Sequence, residues 1–206
     1  MYTSESASPP FEVTMKATLA TRIGQGPIVA AAATVFARRG FADTRVEDIL
    51  AESGIARRTF YKYFSSKEDV LAAVYEFATG ELLKAMREVP SPEPLLGVRR
   101  GLDLFLDYHV ENAALLRVLV EQAILSDSPL AAARRRFRAD LVQLIDGAVR
   151  ASTGETHDPM LYAALVSALE GTSLDLFATD VSAKTVERAK RVMHLLLERV
   201  LGPRPS

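Results

Sequence analysis

Residues 44–67 read TRVEDILAESGIARRTFYKYFSSK, two short amphipathic segments hinged on a glycine. Val46, Ile49 and Leu50 recur at helical spacing, so the first segment predicts a helix with one apolar face. Thr44 and Glu47 stand three apart, the spacing at which a hydroxyl and a carboxylate reciprocally cap a helix start. Gly54 falls where the chain must stop and turn, a position that suits a residue free to take positive φ. Ile55, Phe60 and Phe64 anchor the second helix, whose outer side carries Arg57, Arg58, Thr59, Tyr61, Lys62 and Tyr63. Ser65 with Glu68 predicts another capping box and a third helix. Lys67 then lies in the first turn of that helix, where a cation opposes the helix dipole and a DNA phosphate would give it a reason to be. This is the build of a helix-turn-helix reader of the major groove.

Charge placement agrees. Residues 22–67 hold eight Lys/Arg against four Asp/Glu, net +4, which leaves −5 for the remainder of a chain whose formal net charge is −1. A basic segment on an acidic chain is an electrostatic footprint for a polyanion.

The stretch from residue 28 to 71, IVAAAATVFARRGFADTRVEDILAESGIARRTFYKYFSSKEDVL, resembles the TetR family of one-component transcriptional repressors. The likeness rests on an Ala-rich first helix ending in Phe-Ala-x-x-Gly-aromatic, then Thr-x-Val-x-Asp-Ile, Gly-Ile, Thr-x-Tyr-x-x-Phe and Ser-Lys-Glu. The resemblance implies that Arg57 and Arg58 approach base edges, while Thr44, Thr59, Tyr61, Tyr63 and Lys67 meet backbone phosphates, with Lys62 exposed on the same helix. Arginine can donate two bonds to guanine, whereas phosphate contacts set register. The sequence departs from the family pattern at three places. Gly24-Gln25-Gly26-Pro27 replaces an Arg-bearing approach, Ala56 stands where a Ser often caps the recognition helix, and Leu50 replaces a small Ala.

At 206 residues and 49% apolar content the chain is long enough for a real core. The expected fold is all-α: a three-helix DNA-binding domain over 22–70, after a tail at 1–21, followed by a larger helical domain over 71–206. Punctuation by Pro, Gly and Ser predicts helices near 66–88, 93–109, 112–125, 129–152 and 158–179. Pro129 is expected in the first turn of the fourth of these, and Ser182 as the cap of a last helix ending at Gly202-Pro203. No apolar run long enough to span a bilayer and no signal peptide is apparent, which points to a cytoplasmic protein. With no Cys, and with His109, His157 and His194 lacking ligand spacing, neither a metal nor another cofactor is expected. No nucleophile–base pair or phosphate-cradling loop suggests an enzyme.

Leu165, Leu169 and Phe177, with Val186, Ala189, Met193, Leu196 and Val200, make the last two helices apolar on more than one side, which requires two neighbours. The family resemblance implies that they form a four-helix dimer interface. It also implies an effector pocket walled by the middle helices. Candidates there are Phe77 and Met86, then Leu102, Phe105, Leu106, Tyr108 and His109, then Leu119 and Gln122. Phe137 and Leu141, with Glu170 and Ser173, complete the set. These side chains suggest a mainly apolar site for a lipophilic or aromatic molecule. Residues 134–138, RRRFR, read either as a solvated helix face or as a contact for an anion. The expected partners are therefore an operator in double-stranded DNA, a small-molecule effector and a second copy of the chain. The alternatives are an architectural DNA-binding protein without an effector and, behind it, a helical small-molecule-binding protein or enzyme.

Overall fold

The computed structural model describes residues 24–89, 91, 93–125, 127–178 and 182–201, and all regular structure among them is helical. The expected tail at 1–21 and the Gly202-Pro203 stop lie outside the described residues. The helices are α1 (Gly26–Arg39), α2 (Val46–Ser53), α3 (Arg57–Tyr63), α4 (Lys67–Arg87), α5 (Pro94–Glu111), α6 (Ala113–Ala123), α7 (Ala131–Thr153), α8 (Pro159–Ala178) and α9 (Ala183–Leu201).

Alanines at 31, 32 and 33 keep α1 thin, so α2 and α4 close on Ile28, Val29 and Phe36. Arg38 and Arg39 occupy the last turn of α1, where cations suit the dipole, and they reach Glu52 (3.3 Å) and Asp48 on α2. The caps differ from expectation by one residue. Arg45, not Thr44, precedes α2, and the Asp48 carboxylate rather than Glu47 accepts from the Arg45 N–H at 2.8 Å. The Thr44 hydroxyl instead donates to the Gly40 carbonyl at 2.6 Å. Likewise Ser66, not Ser65, caps α4, accepting from the Asp69 N–H at 3.2 Å, while Asp69 rather than Glu68 accepts from the Ser65 N–H at 2.9 Å. In each case the aspartate one residue further into the helix takes the role expected of the glutamate. Gly54 takes φ 67° and its N–H reaches the Leu50 carbonyl, which turns the chain into α3. Ala56 caps α3 with no side-chain bond.

α4 carries the chain from this unit into a bundle in which α7 packs on α4, α5 and α8, and α9 packs on α5 and α8. Pro129 lies in the turn before α7 rather than in its first turn. The Ser128 hydroxyl accepts from the Leu130 N–H there, and the helix starts at Ala131. Ser182 does cap α9, through the Thr185 N–H at 3.2 Å. Contrary to expectation, α8 is long and apolar enough to cross a membrane by length and composition. Its Glu170, however, is held by Arg134 and Arg138 of α7, and its apolar faces pack on α5, α6, α7 and α9, which fits a core helix.

The expected interface residues are largely covered by the chain's own helices. Leu165, Leu169, Phe177, Val186 and Met193 are buried within the single chain, and Ala189, Leu196 and Val200 are half-buried against it. On these two helices, the large apolar side chains left outward are Val192 (55% exposed), Leu195 (54%) and Met160 (73%). Helix α9 is held against α5 by Lys190 to Asp107 (2.7 Å) and Arg99 to Glu198 (3.0 Å), and His194 Nε2 lies 2.8 Å from the Asp103 carboxylate.

Candidate DNA-reading surface and effector cavity

Phe60 is fully buried and Phe64 nearly so, their rings 6.0 Å apart, which leaves the opposite side of α3 to solvent. Arg57, Arg58, Thr59, Tyr61 and Lys62 are exposed there. Arg57 is oriented by its own surroundings: its guanidinium donates to Glu47 at 2.6 Å and to the Tyr61 hydroxyl at 3.4 Å, and lies 5.4 Å from the Tyr61 ring centre. The Glu47 carboxyl is held below its usual range, first by its backbone bond at the start of α2 and then by Arg57. Arg58 has no ionic or hydrogen-bonding partner among the described residues. Tyr63 is half-buried, and a side chain at Gly24 would come within 3.3 Å of its hydroxyl, so this ring supports the approach to α1.

Two expected phosphate contacts are turned inward. Thr44 is buried with its hydroxyl on Gly40. The Lys67 ammonium donates to the carbonyls of Phe41 (2.9 Å), Ala42 (3.3 Å) and Thr44 (2.9 Å) and lies 4.4 Å from the Phe41 ring centre. A loop whose carbonyls converge on one cation resolves the mismatch with the helix dipole without DNA.

In the bundle, α4, α5, α6, α7 and α8 enclose a cavity of about 40 Å³. Of the expected residues, Phe105, Tyr108, His109, Leu119, Phe137, Glu170 and Ser173 line it. Most of its polar groups are engaged. Tyr108 donates to the Ala78 carbonyl (2.9 Å), Thr79 to Tyr75 (2.8 Å) and Ser173 to Glu170 (2.8 Å). His109 stacks on Phe105 at 4.0 Å and its Nδ1 bonds the Phe105 carbonyl at 2.8 Å. A carbonyl only accepts, so Nδ1 carries the proton and Nε2 is an acceptor. Burial pushes this imidazole down to about 4, keeping it neutral. Glu170 takes both Arg134 (3.0 Å) and Arg138, and Arg138 also reaches the Ser167 hydroxyl at 2.8 Å. The basic run is therefore largely paired rather than simply solvated, since Arg136 also meets Glu76.

A second cavity, about 120 Å³, lies between α4, α5, α7 and α8 and takes Met86, Leu102 and Leu141 from the expected set. Leu106 and Phe77 are packed into the core, and Gln122 is half-buried on α6; none of the three lines either cavity.

Residues 28–74, which hold the whole helix-turn-helix, match the model of bacterial regulatory proteins of the tetR family. Over those residues the chain is similar to the TetR family. Among its relatives, the HTH-type transcriptional regulator EthR of Mycolicibacterium smegmatis is 31% identical over 101 residues, 47% of this chain and 46% of that one. The uncharacterised HTH-type regulator YerO of Bacillus subtilis is 24% identical over 195 residues, covering 85% and 66%. These alignments thus span about two thirds or less of the relatives' own length. Among solved structures, the transcriptional regulator FadR from Bacillus subtilis, in complex with stearoyl-CoA, has a TM-score of 0.72 at 20% identity, covering 86% of this chain and 98% of that one. At that identity the likeness shows the fold.

Arg45 and Tyr75 escaped the sequence reading. Arg45 is an exposed cation at the start of α2, and only its place beside the motif could have marked it. Tyr75 lines the first cavity and sits in a stretch that reads as ordinary amphipathic helix; Arg134, from the basic run, lines it too.

Proposed function

We propose that the protein is a homodimeric transcriptional repressor that binds a palindromic DNA operator and is released by a small, mainly apolar effector. The observation that carries this is the outward face of α3, where Arg57, Arg58, Thr59, Tyr61 and Lys62 surround the solvent side of a helix anchored by buried Phe60. In this reading Arg57 and Arg58 read base edges, while Thr59, Tyr61, Lys62 and the exposed Arg45 hold phosphates. Residues 22–70 form the DNA-binding part and residues 71–206 the effector-binding and dimerisation part. It acts in the cytoplasm, where its operator is.

One short recognition helix covers few base pairs, so two copies related by a two-fold axis are needed for a specific site. The outward Val192 and Leu195 of α9, with Met160 of α8, supply a self-complementary apolar patch. Release follows from connectivity. The first cavity is walled by α4 and α6, and both helices pack on α1 of the DNA-binding part. A ligand that fits the cavity better in one arrangement of α4 and α6 shifts the spacing of the two recognition helices, and only to the extent of that differential affinity. The stearoyl-CoA bound by the structural neighbour FadR supports an effector with a large apolar part.

Selection of bound sequences from a random duplex library tests this reading. Enrichment of an inverted repeat, lost in the Arg57→Ala/Tyr61→Ala double variant, is the expected result. Equal recovery of all sequences by folded, dimeric protein would replace it with a nonspecific architectural role.

A further inference from the structure

We propose that the two cavities are halves of one elongated site that takes an unbranched aliphatic carboxylate, its head in the first cavity and its tail in the second. This rests on the effector-binding reading above and specifies its ligand.

The lining residues of the two cavities sit one helical turn apart on four shared helices. Leu82 lines the first and Met86 the second on α4; the pairs are Phe105 and Gly101 on α5, Phe137 and Leu141 on α7, Ser173 and Leu169 on α8. Residues four apart share a helix face, so on every wall one cavity continues into the other. Each step is about 6 Å along the bundle. The partition consists of Phe105 and Phe137 on one side and Leu102 and Leu141 on the other, side chains that can turn between rotamers without moving backbone.

Shape selects the tail. From Pro94 to His109 the lining of α5 extends over about 22 Å. An extended hydrocarbon advances roughly 1.3 Å per methylene, given a C–C bond of about 1.5 Å, so a chain of more than a dozen carbons spans the joined site. The narrow bores, about 40 and 120 Å³, suit a single chain better than fused rings.

Polarity selects the head. The second cavity is lined by apolar groups apart from the exposed Arg87. In the first, the Tyr75 side chain is only 5% exposed, and its hydroxyl has no hydrogen-bond partner among the described residues. Beside it, Arg134 and Arg138 share the single carboxylate of Glu170, leaving one net positive charge. A carboxylate can accept from the Tyr75 hydroxyl and from Arg134 together, two charge-assisted bonds that an ester or alcohol cannot match.

The test is displacement of a fluorescent fatty acid from the full chain by straight-chain carboxylates from hexanoate to hexadecanoate, without DNA. Affinity should rise about two- to fourfold per added methylene across the series. Methyl esters and alcohols of equal length should bind at least about tenfold more weakly. Tyr75→Phe should erase much of the preference for carboxylate and keep the length dependence. Leu141→Trp, which thickens the partition, should end the length dependence at short chains; Ala148→Leu, which narrows the far cavity, gives a second reading if the first variant unfolds. Affinity that stops rising at octanoate in the unaltered chain, or esters that bind as tightly as carboxylates, would overturn the proposal. Chains that bind with this length dependence yet do not release operator DNA would sink the regulatory reading and leave the site standing. An operator selected by a protein that binds no chain would do the reverse.

Discussion

The Lys67 ammonium donates to the Thr44 carbonyl at 2.9 Å, tying the first turn of α4 to the loop that leads into α2. With the Phe41 and Ala42 carbonyls also on this cation, Lys67 acts as an internal clasp of the DNA-binding part. Lys67→Ala should therefore destabilise the protein by about 1–3 kcal/mol, the cost of unsatisfied carbonyls that had a charged donor. Thermal unfolding measures it. The slope of log affinity against log salt should stay unchanged, because no counterion release is lost. A slope that drops by about one unit would return Lys67 to the phosphate backbone.

On the proposed reading, Glu47 competes with DNA for Arg57. Removing it by Glu47→Gln frees the guanidinium and deletes a negative charge from the DNA-facing side, so operator affinity should rise by roughly threefold at low salt. Arg57→Ala should instead flatten base preference at one position of each half-site. Binding titrations against matched and mismatched duplexes separate the two.

Two neighbouring residues on α9 should give opposite outcomes. Val192→Asp with Leu195→Asp should yield folded monomers by sedimentation, because both side chains are exposed on one chain. Met193→Ala should leave the association state alone and cost about 2–5 kcal/mol of stability, the usual penalty for emptying a core position. Dimers that survive the double aspartate variant would move the interface elsewhere.

His109 makes stability depend on pH. Its folded value, about 4, lies below the ordinary 6.5, so the unfolded chain takes up this proton first. The His109 contribution is fully present above about 6.5 and is lost as pH falls from there toward 4, by up to about 3 kcal/mol. The drop in melting temperature between pH 7.5 and pH 5 should be smaller for His109→Leu than for the unaltered chain. Equal drops would mean that the imidazole is protonated in the fold.

Much of the fold was legible because its signals are local. Helical periodicity, the turn at Gly54 and the Pro and Ser breaks depend only on neighbours in the chain, and the helices fell within a few residues of expectation. The caps slipped by one position because Thr44-Arg45 and Ser65-Ser66 each offer adjacent candidates, and only the placed backbone shows which aspartate reaches which N–H. The exposed face of α3 was legible for the same local reason, since Phe60 and Phe64 fix which way the helix turns.

The sequence by itself determined an all-α chain with a helix-turn-helix and a basic recognition face, because helix phase alone assigns each residue of α3 to the core or to solvent. Tertiary structure decided the rest. Periodicity shows that a helix is apolar on two sides, but not which side its own chain covers; Met193 went to the core and Val192 to the surface in the rotation held by Lys190 and Arg99 between α9 and α5. Lys67 became a clasp and Glu170 a shared counterion because their partners lie on elements distant in the chain, and Tyr75 was left with a hydroxyl unpaired among the described residues.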